Sequence, residues 1–150
     1  MGKSLYVFTL AIVISISAAC SQKWRDPDVA LPAQSVSIAT ILASPDAYDM
    51  SGVIVIGKIW RPKVESKGMN ENGVEQVYTM FTLADRKGIG IDVYVNGEAP
   101  VAQGDYIRVV GLFRKDFQAE GDYFYNRIEA VRLESWSPNL NFWIREYEFD

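Results

Sequence analysis

The sequence predicts an all-β domain, a small five-stranded barrel that follows one short helix. Five segments between residues 52 and 135 alternate apolar and polar side chains with the period of a β-strand. Turn residues separate these segments, among them Asn72-Gly73, a pair typical of a hairpin reversal. Gly57, Gly90 and Gly111 stand at strand positions, where a closing barrel bends and backbones approach closely.

A short helix is predicted before the first strand. Ser37 can cap its N-terminus, and Ile38, Ile41 and Leu42 form one apolar face. Pro45 is expected to end the helix, because proline cannot donate the backbone hydrogen bond that a continuing helix needs.

The five predicted strands are residues 52–64, 75–85, 88–96, 104–115 and 121–135. In the first, Val53, Val55 and Ile59 alternate with Ile54, Ile56 and Trp60. In the others the predicted inward residues share an apolar or small side chain at every second position. They are Val77, Thr79, Phe81, Leu83, Ile89, Ile91, Val93, Val95, Ile107, Val109, Phe113, Phe124, Ile128 and Ala130.

The order of these elements and the phrase Gly104-Asp105-Tyr106-Ile107-Arg108-Val109-Val110-Gly111 resemble exported bacterial OB-fold proteins that carry a helix before the first strand. The resemblance covers residues 37–135 and concerns fold, not activity. It implies a binding face on the second and third strands, between the loops that join strands one and two and strands four and five. The segment 96–103 is too short for the helix that many OB-folds place there, so the N-terminal helix can cap the barrel instead.

The N-terminus indicates export. Lys3 precedes an apolar run over residues 5–19, shorter than a membrane-spanning helix, and small residues lead to Cys20, the single cysteine. This arrangement resembles the lipobox of bacterial lipoproteins, with Ser17 at the position where that pattern prefers leucine. The resemblance implies a lipid on Cys20 and, in a Gram-negative cell, sorting to the outer membrane. The alternative is ordinary signal cleavage that leaves an odd thiol.

Composition excludes several functions. The chain has no histidine, which removes the commonest general base and transition-metal ligand as well as histidine-held haem. The net charge is −4, and it becomes −5 once the predicted signal peptide is removed, because Lys3 is its only charged residue. This balance disfavours nucleic acid, whose phosphates require basic partners. The loop carboxylates do not have the spacing of a nuclease site, so no cofactor, metal site or catalytic residue is predicted. The alternative function is an exported nucleic-acid-binding protein or a metal-dependent nuclease-like enzyme.

An aromatic and basic strip is the candidate binding site. Alternation places Trp60, Tyr78 and Tyr94 on one outer face, beside a first loop with Arg61, Lys63 and Lys67 and a second loop with Arg114, Lys115 and Phe117. Aromatic rings flanked by cations can stack on sugars, bases or a peptide. The alternative is that the three rings pack beneath the helix or the C-terminal segment. The tentative ligand-binding set is Trp60, Arg61, Tyr78, Tyr94, Arg114 and Phe117.

The predicted organisation is a signal peptide (1–19), a tether (20–35), an OB-fold domain (36–135) and a C-terminal aromatic strap or extra strand (136–150). The predicted function is a non-catalytic binding or adaptor protein of the cell envelope. Its expected partners are the membrane, through lipid on Cys20, and an envelope protein or glycan.

Overall fold

The structure, a computed structural model, describes residues 32–119 and 122–137, apart from the side chains of Phe117, Ala119 and Asp122. The predicted signal peptide, Cys20 and residues 138–150 of the predicted strap lie outside the described residues. The elements are β1 (Gln34–Ser35), α1 (Ile38–Ala43), α2 (Pro45–Tyr48), β2 (Gly52–Met69), β3 (Glu75–Ala84), β4 (Gly90–Asn96), β5 (Tyr106–Ala119) and β6 (Asp122–Ser135).

Five strands pair in a ring. β2 pairs antiparallel with β3, and β3 pairs antiparallel with β4. β4 then pairs in parallel with β6, β6 pairs antiparallel with β5, and β5 returns to β2. This connectivity is that of the OB-fold, a five-stranded Greek-key barrel, so the predicted all-β, OB-fold-like architecture is confirmed. β1 adds Gln34 and Ser35, the last two residues of the predicted tether, in parallel beside β2.

The helix α1 packs against the core of the barrel. The Ser37 hydroxyl accepts a hydrogen bond from the backbone N–H of Thr40 at 3.1 Å, as an N-cap should. Ile38 and Ile41 are buried in the same core as the strands. Pro45 does more than stop α1, because it opens the second short helix, α2, where its missing N–H costs nothing.

The alternation predicted for the strands matches the observed core. β2 turns Val53, Val55 and Ile59 inward and leaves Trp60 outside. Ile89 and Ala130 are partly buried against the core. The other predicted inward residues that the structure buries are Val77, Thr79, Phe81, Leu83, Ile91, Val93, Val95, Ile107, Val109, Phe113 and Ile128.

Phe124 is the exception, and its predicted inward position is wrong. Its ring lies 4.1 Å from the guanidinium carbon of Arg127, which in turn covers the outer-face ring of Tyr94. Asn126 stands between Phe124 and Ile128 with a positive φ of 50°, and this backbone conformation interrupts the regular alternation of the strand. Phe124 therefore belongs to the outer surface.

Two hairpins extend where loops were predicted. β2 continues to Met69, beyond the predicted end at residue 64, so Lys67 lies on a strand, and β5 continues to Ala119, beyond the predicted end at residue 115. A bulge between Trp60 and Lys63 accommodates Pro62, which a regular ladder would not. The reversal of the first hairpin is at residues 70–73, which contain the predicted pair Asn72-Gly73, and there the Asn70 side chain accepts hydrogen bonds from the backbone N–H groups of Asn72 and Val74.

Candidate functional site

The outer face of β3 and β4 carries a stacked pair of tyrosines. The ring centroids of Tyr78 and Tyr94 are 5.3 Å apart, with an angle of 29° between the planes. The ammonium of Lys67 lies 5.6 Å from the Tyr78 centroid and 5.0 Å from the Tyr94 centroid. The guanidinium carbon of Arg127 lies 4.6 Å from the Tyr94 centroid. We call Lys67, Tyr78, Tyr94, Phe124 and Arg127 the tyrosine cluster.

Arg127 is the buried cation of this cluster. It is only 2% exposed, although β6 presents it on the outside of the barrel. Burial lowers the pKa of Arg127 from its usual value, and the nearby Glu129 carboxylate, 3.8 Å away, works in the opposite direction. The flat guanidinium fits between the rings of Tyr94 and Phe124, where a cation–π contact offsets part of the lost hydration.

Glu65 ties the cluster to β2. It accepts a hydrogen bond from the Tyr78 hydroxyl, and Lys63 places its ammonium 2.5 Å from the carboxylate. These hydrogen bonds, first that of Lys63 and then that of Tyr78, lower the pKa of Glu65 below its usual value. The Tyr78 hydroxyl and the ring faces of Tyr78 and Tyr94 are thus engaged by this chain's own side chains.

A second, open surface lies beside Trp60. In the β2–β3 pairing Trp60 is opposite Thr82, four residues from Tyr78 and so about 13 Å along β3. Trp60 is 46% exposed, and the Lys58 ammonium lies 5.8 Å from its ring centroid. A groove open to solvent runs along this surface. We call it the Trp60 groove; its lining includes Trp60, Arg61, Thr82, Asp92, Gln103 and Tyr125.

The β2 bulge fixes the rim of the Trp60 groove. Arg61 has a positive φ of 50°, and its backbone N–H donates to Oε1 of Gln103 at 2.8 Å. Gln103 belongs to the loop between β4 and β5, so this bond joins that loop to the bulge. The β4–β5 loop and the β3–β4 turn border the groove, whereas the first hairpin tip, residues 70–73, is absent from its lining.

Two carboxylates, Asp85 and Asp92, line the groove, and both have structural partners. Asp85 accepts hydrogen bonds from the backbone N–H groups of Lys87 and Ile89, each at 2.9 Å, and so holds the β3–β4 turn. Asp92 accepts a hydrogen bond of 2.9 Å from the Thr82 hydroxyl across the β3–β4 pair. Over residues 32–119 and 122–137, no group of three or more Cys, Asp or Glu side chains could hold a metal ion.

Tyr125 is the groove residue that sequence reasoning missed. It is 65% exposed on β6, and its ring lies 5.6 Å from that of Tyr123, which is 62% exposed. Tyr125 lines the Trp60 groove and Tyr123 does not. The sequence signal was present as the run Tyr123-Phe124-Tyr125, but only the reversal of alternation at Asn126 shows which ring faces the groove.

The predicted binding residues therefore divide between two places. Trp60 and Arg61 line the groove, and Tyr78 and Tyr94 stack in the tyrosine cluster. Arg114 pairs across the β5–β6 ladder with Arg127, and its guanidinium lies 3.6 Å from the Glu129 carboxylate. The side chain of Phe117 and the whole of Cys20 lie outside the described part of the chain.

The sequence matches no family model and no curated protein. Among solved structures, it is similar to the solution NMR structure of an OB domain from Thermoplasma acidophilum, with 22% identity and a TM-score of 0.47 over 73% of this chain and 92% of that one. It is also similar to the second OB-fold domain of replication protein A from Methanococcus maripaludis, with 15% identity and a TM-score of 0.40 over 61% and 90% of the two chains. At these identities the likeness concerns the fold alone.

The strand connectivity defines this protein as an OB-fold domain. In the described part of the chain, no helix combines the length and the apolar character needed to cross a membrane.

Proposed function

We propose that this chain is a non-catalytic binding protein of the bacterial cell envelope. Lipid on Cys20 holds it on the extracytoplasmic side of a membrane, which in a Gram-negative cell is the periplasmic side of the outer membrane. The OB-fold domain captures an envelope protein or a glycan. The observation that carries the binding role is the Trp60 groove, where two aromatic side chains stand exposed beside polar groups.

The groove supports this role better than the tyrosine cluster does. Lys67 and Arg127 lie over the rings of the cluster, at 5.0 and 4.6 Å from the Tyr94 centroid. Lys58 lies 5.8 Å from the Trp60 centroid, but Trp60 and Tyr125 still keep 46% and 65% of their surface exposed. Large exposed aromatics cost hydration free energy, and they are favoured where a partner covers them. Trp60 and Arg61 of the predicted site therefore carry the proposed contact, and Tyr125 joins them.

The anchor is tested with radiolabelled palmitate in a bacterium that expresses the full chain with a C-terminal tag. We expect label on the wild-type protein and none on Cys20→Ser. A wild-type protein that carries no label and fractionates with the soluble proteins would overturn the anchoring part of the proposal. In that event Cys20 would be a free thiol.

The binding role is tested by photo-crosslinking in the same cells. A benzophenone amino acid replaces Tyr125 in one variant and Tyr123 in another, so both probes stand on β6 two residues apart with similar exposure. We expect a discrete adduct from position 125 whose yield falls about tenfold when Trp60→Ala is added, and a much weaker adduct from position 123. Equal adducts from both positions, or none from 125, would contradict a partner in the groove.

A further inference from the structure

We infer that the Trp60 groove binds a neutral oligosaccharide. The inference rests on the proposed function and names the ligand class of the same groove. The groove has three properties that such a ligand requires: exposed aromatic rings, polar groups fixed in place by the protein itself, and little net charge. Each property follows from residues that the structure describes.

The aromatic part of the groove suits the flat face of a sugar ring. Trp60 has the Lys58 ammonium 5.8 Å from its ring centroid and remains 46% exposed. Tyr125 contributes a second ring from β6, 65% exposed. A pyranose presents polarised C–H groups on one face, and these pack against the electron-rich face of an aromatic ring. Because these two rings come from different strands and line one groove, a single sugar chain can contact both.

The polar part of the groove is held in place before any ligand arrives. The Thr82 hydroxyl donates a hydrogen bond to Asp92 across β3 and β4. Asp85 is held in place by hydrogen bonds from two backbone N–H groups of its turn. The Gln103 side chain accepts a hydrogen bond from the backbone N–H of Arg61. A carboxylate has about four acceptor positions, so Asp85 and Asp92 keep capacity for ligand hydroxyl donors while their orientation is set. Fixed groups of this kind reduce the entropy lost on binding.

The charge of the groove disfavours a polyanion. Its charged lining residues are three cations and two carboxylates, Lys58, Arg61, Arg86, Asp85 and Asp92. The chain as a whole, groove included, has a net charge of −4. A nucleic acid would bring phosphates close to Asp85 and Asp92 with little compensating positive field, whereas a neutral glycan has no such cost. The groove is also open to solvent, so a longer chain can pass along it without a free end having to enter.

The inference is tested by fluorine NMR on the full chain, purified from membranes in detergent and labelled with 5-fluorotryptophan. The chain has four tryptophans, and Trp60→Phe assigns the resonance of interest. The probes are cellotetraose and chitotetraose, two neutral β-1,4-linked tetrasaccharides that differ in the acetamido group. We expect at least one of them to shift the Trp60 resonance saturably below about 5 mM.

The control is a pair of tyrosine variants. Tyr125→Ala and Tyr123→Ala each remove the same contact between Tyr123 and Tyr125, but only Tyr125 lines the groove. We expect Tyr125→Ala to weaken tetrasaccharide binding about tenfold and Tyr123→Ala to leave it within about twofold.

Three outcomes would overturn the inference. They are a Trp60 resonance unmoved by both tetrasaccharides, an equal effect of the two tyrosine variants, and tighter, salt-dependent binding of a single-stranded oligothymidylate at Trp60. The in-cell adduct at position 125 separates this inference from the proposed function. If that adduct forms on a protein while neither sugar binds, the glycan inference fails and the binding role stands. If neither the adduct nor sugar binding is seen, both fail.

Discussion

At the scale of single residues, Arg127 shows how an OB-fold surface can be occupied by its own side chains. Arginine is mostly exposed in proteins, yet Arg127 is 2% exposed between two aromatic rings. A buried guanidinium is costly unless its surroundings replace water, and here the rings and the Glu129 carboxylate offset part of that cost. The tyrosine cluster is therefore a structural feature of the outer surface.

Replacing Arg127 tests this interpretation. We expect Arg127→Ala to lower the free energy of unfolding by about 3 kcal/mol, because it removes the cation–π contacts and leaves a void beneath the rings. The matched control is Arg132→Ala on the same strand, where a half-exposed arginine lies 3.3 Å from Glu134 and the expected loss is about 0.5 kcal/mol. Equal losses in urea denaturation of the two variants would contradict a packed role for Arg127.

Glu65 predicts a pH dependence whose sign follows from its lowered pKa. A carboxyl with a lower pKa in the folded state stabilises the fold above its usual pKa, and that stabilisation is lost as the pH falls through the folded value. Glu65→Gln should therefore be less stable than wild type at pH 7, and the difference should shrink below the usual pKa of 4.5. Denaturation midpoints at pH 7 and pH 3 measure this. The exposed Glu75→Gln serves as control, and a difference that grows on acidification would refute the assignment.

At the scale of elements, the barrel depends on close approaches that only glycine permits. A Cβ added to Gly111 would lie 2.5 Å from the carbonyl oxygen of Glu129, on the β6 backbone. A Cβ added to Gly57 would lie 2.7 Å from the carbonyl oxygen of Ala84 on β3. Both contacts are with backbone of a paired strand, so the strands would have to separate to make room. The glycines predicted to allow barrel closure thus have a definite steric reason at these two positions.

The β5–β6 pairing is tested by Gly111→Ala. We expect a loss of about 2 kcal/mol or more in the free energy of unfolding, because the clash is with main chain that other hydrogen bonds hold in place. Gly90→Ala is the control, since its new Cβ would clash with the Thr82 methyl group at 2.7 Å and would lie at ordinary contact distance, 3.8 Å, from the nearest backbone oxygen, so a loss of about 1 kcal/mol or less is expected. Thermal unfolding that places Gly90→Ala below Gly111→Ala would contradict the proposed steric cause.

At the scale of the whole molecule, the strand period was enough to predict the buried core but not the arrangement of the surface side chains. The buried residues follow from alternation because side chains of a strand point to opposite faces, a rule that acts within one segment. The length of the first hairpin did not follow, because residues 65–69 have the composition of a loop, whereas pairing with β3 keeps them in the strand. Local patterns therefore establish the barrel, whereas its extensions depend on cross-strand pairing.

In the candidate site, too, the features set within one strand could be predicted, and those set by contacts between strands could not. Trp60 could be placed outside by alternation, and Tyr78 and Tyr94 could be placed on a shared face. That Lys67 and Arg127 cover these two rings could not be predicted, because the contacts join residues far apart in the chain. Tyr125 was missed for a similar reason, since the positive φ of Asn126 decides which ring of β6 reaches the groove.

The central claim is that the Trp60 groove, and not the tyrosine cluster, contacts the partner. The most direct test is the yield of the position-125 adduct per folded molecule in Trp60→Ala and Tyr94→Ala backgrounds. We predict that Trp60→Ala reduces the yield about tenfold while changing the free energy of unfolding by less than about 1 kcal/mol. Tyr94→Ala should lower stability by about 2 kcal/mol or more and leave the yield per folded molecule unchanged. The reverse pattern, with capture lost in Tyr94→Ala and kept in Trp60→Ala, would contradict the account.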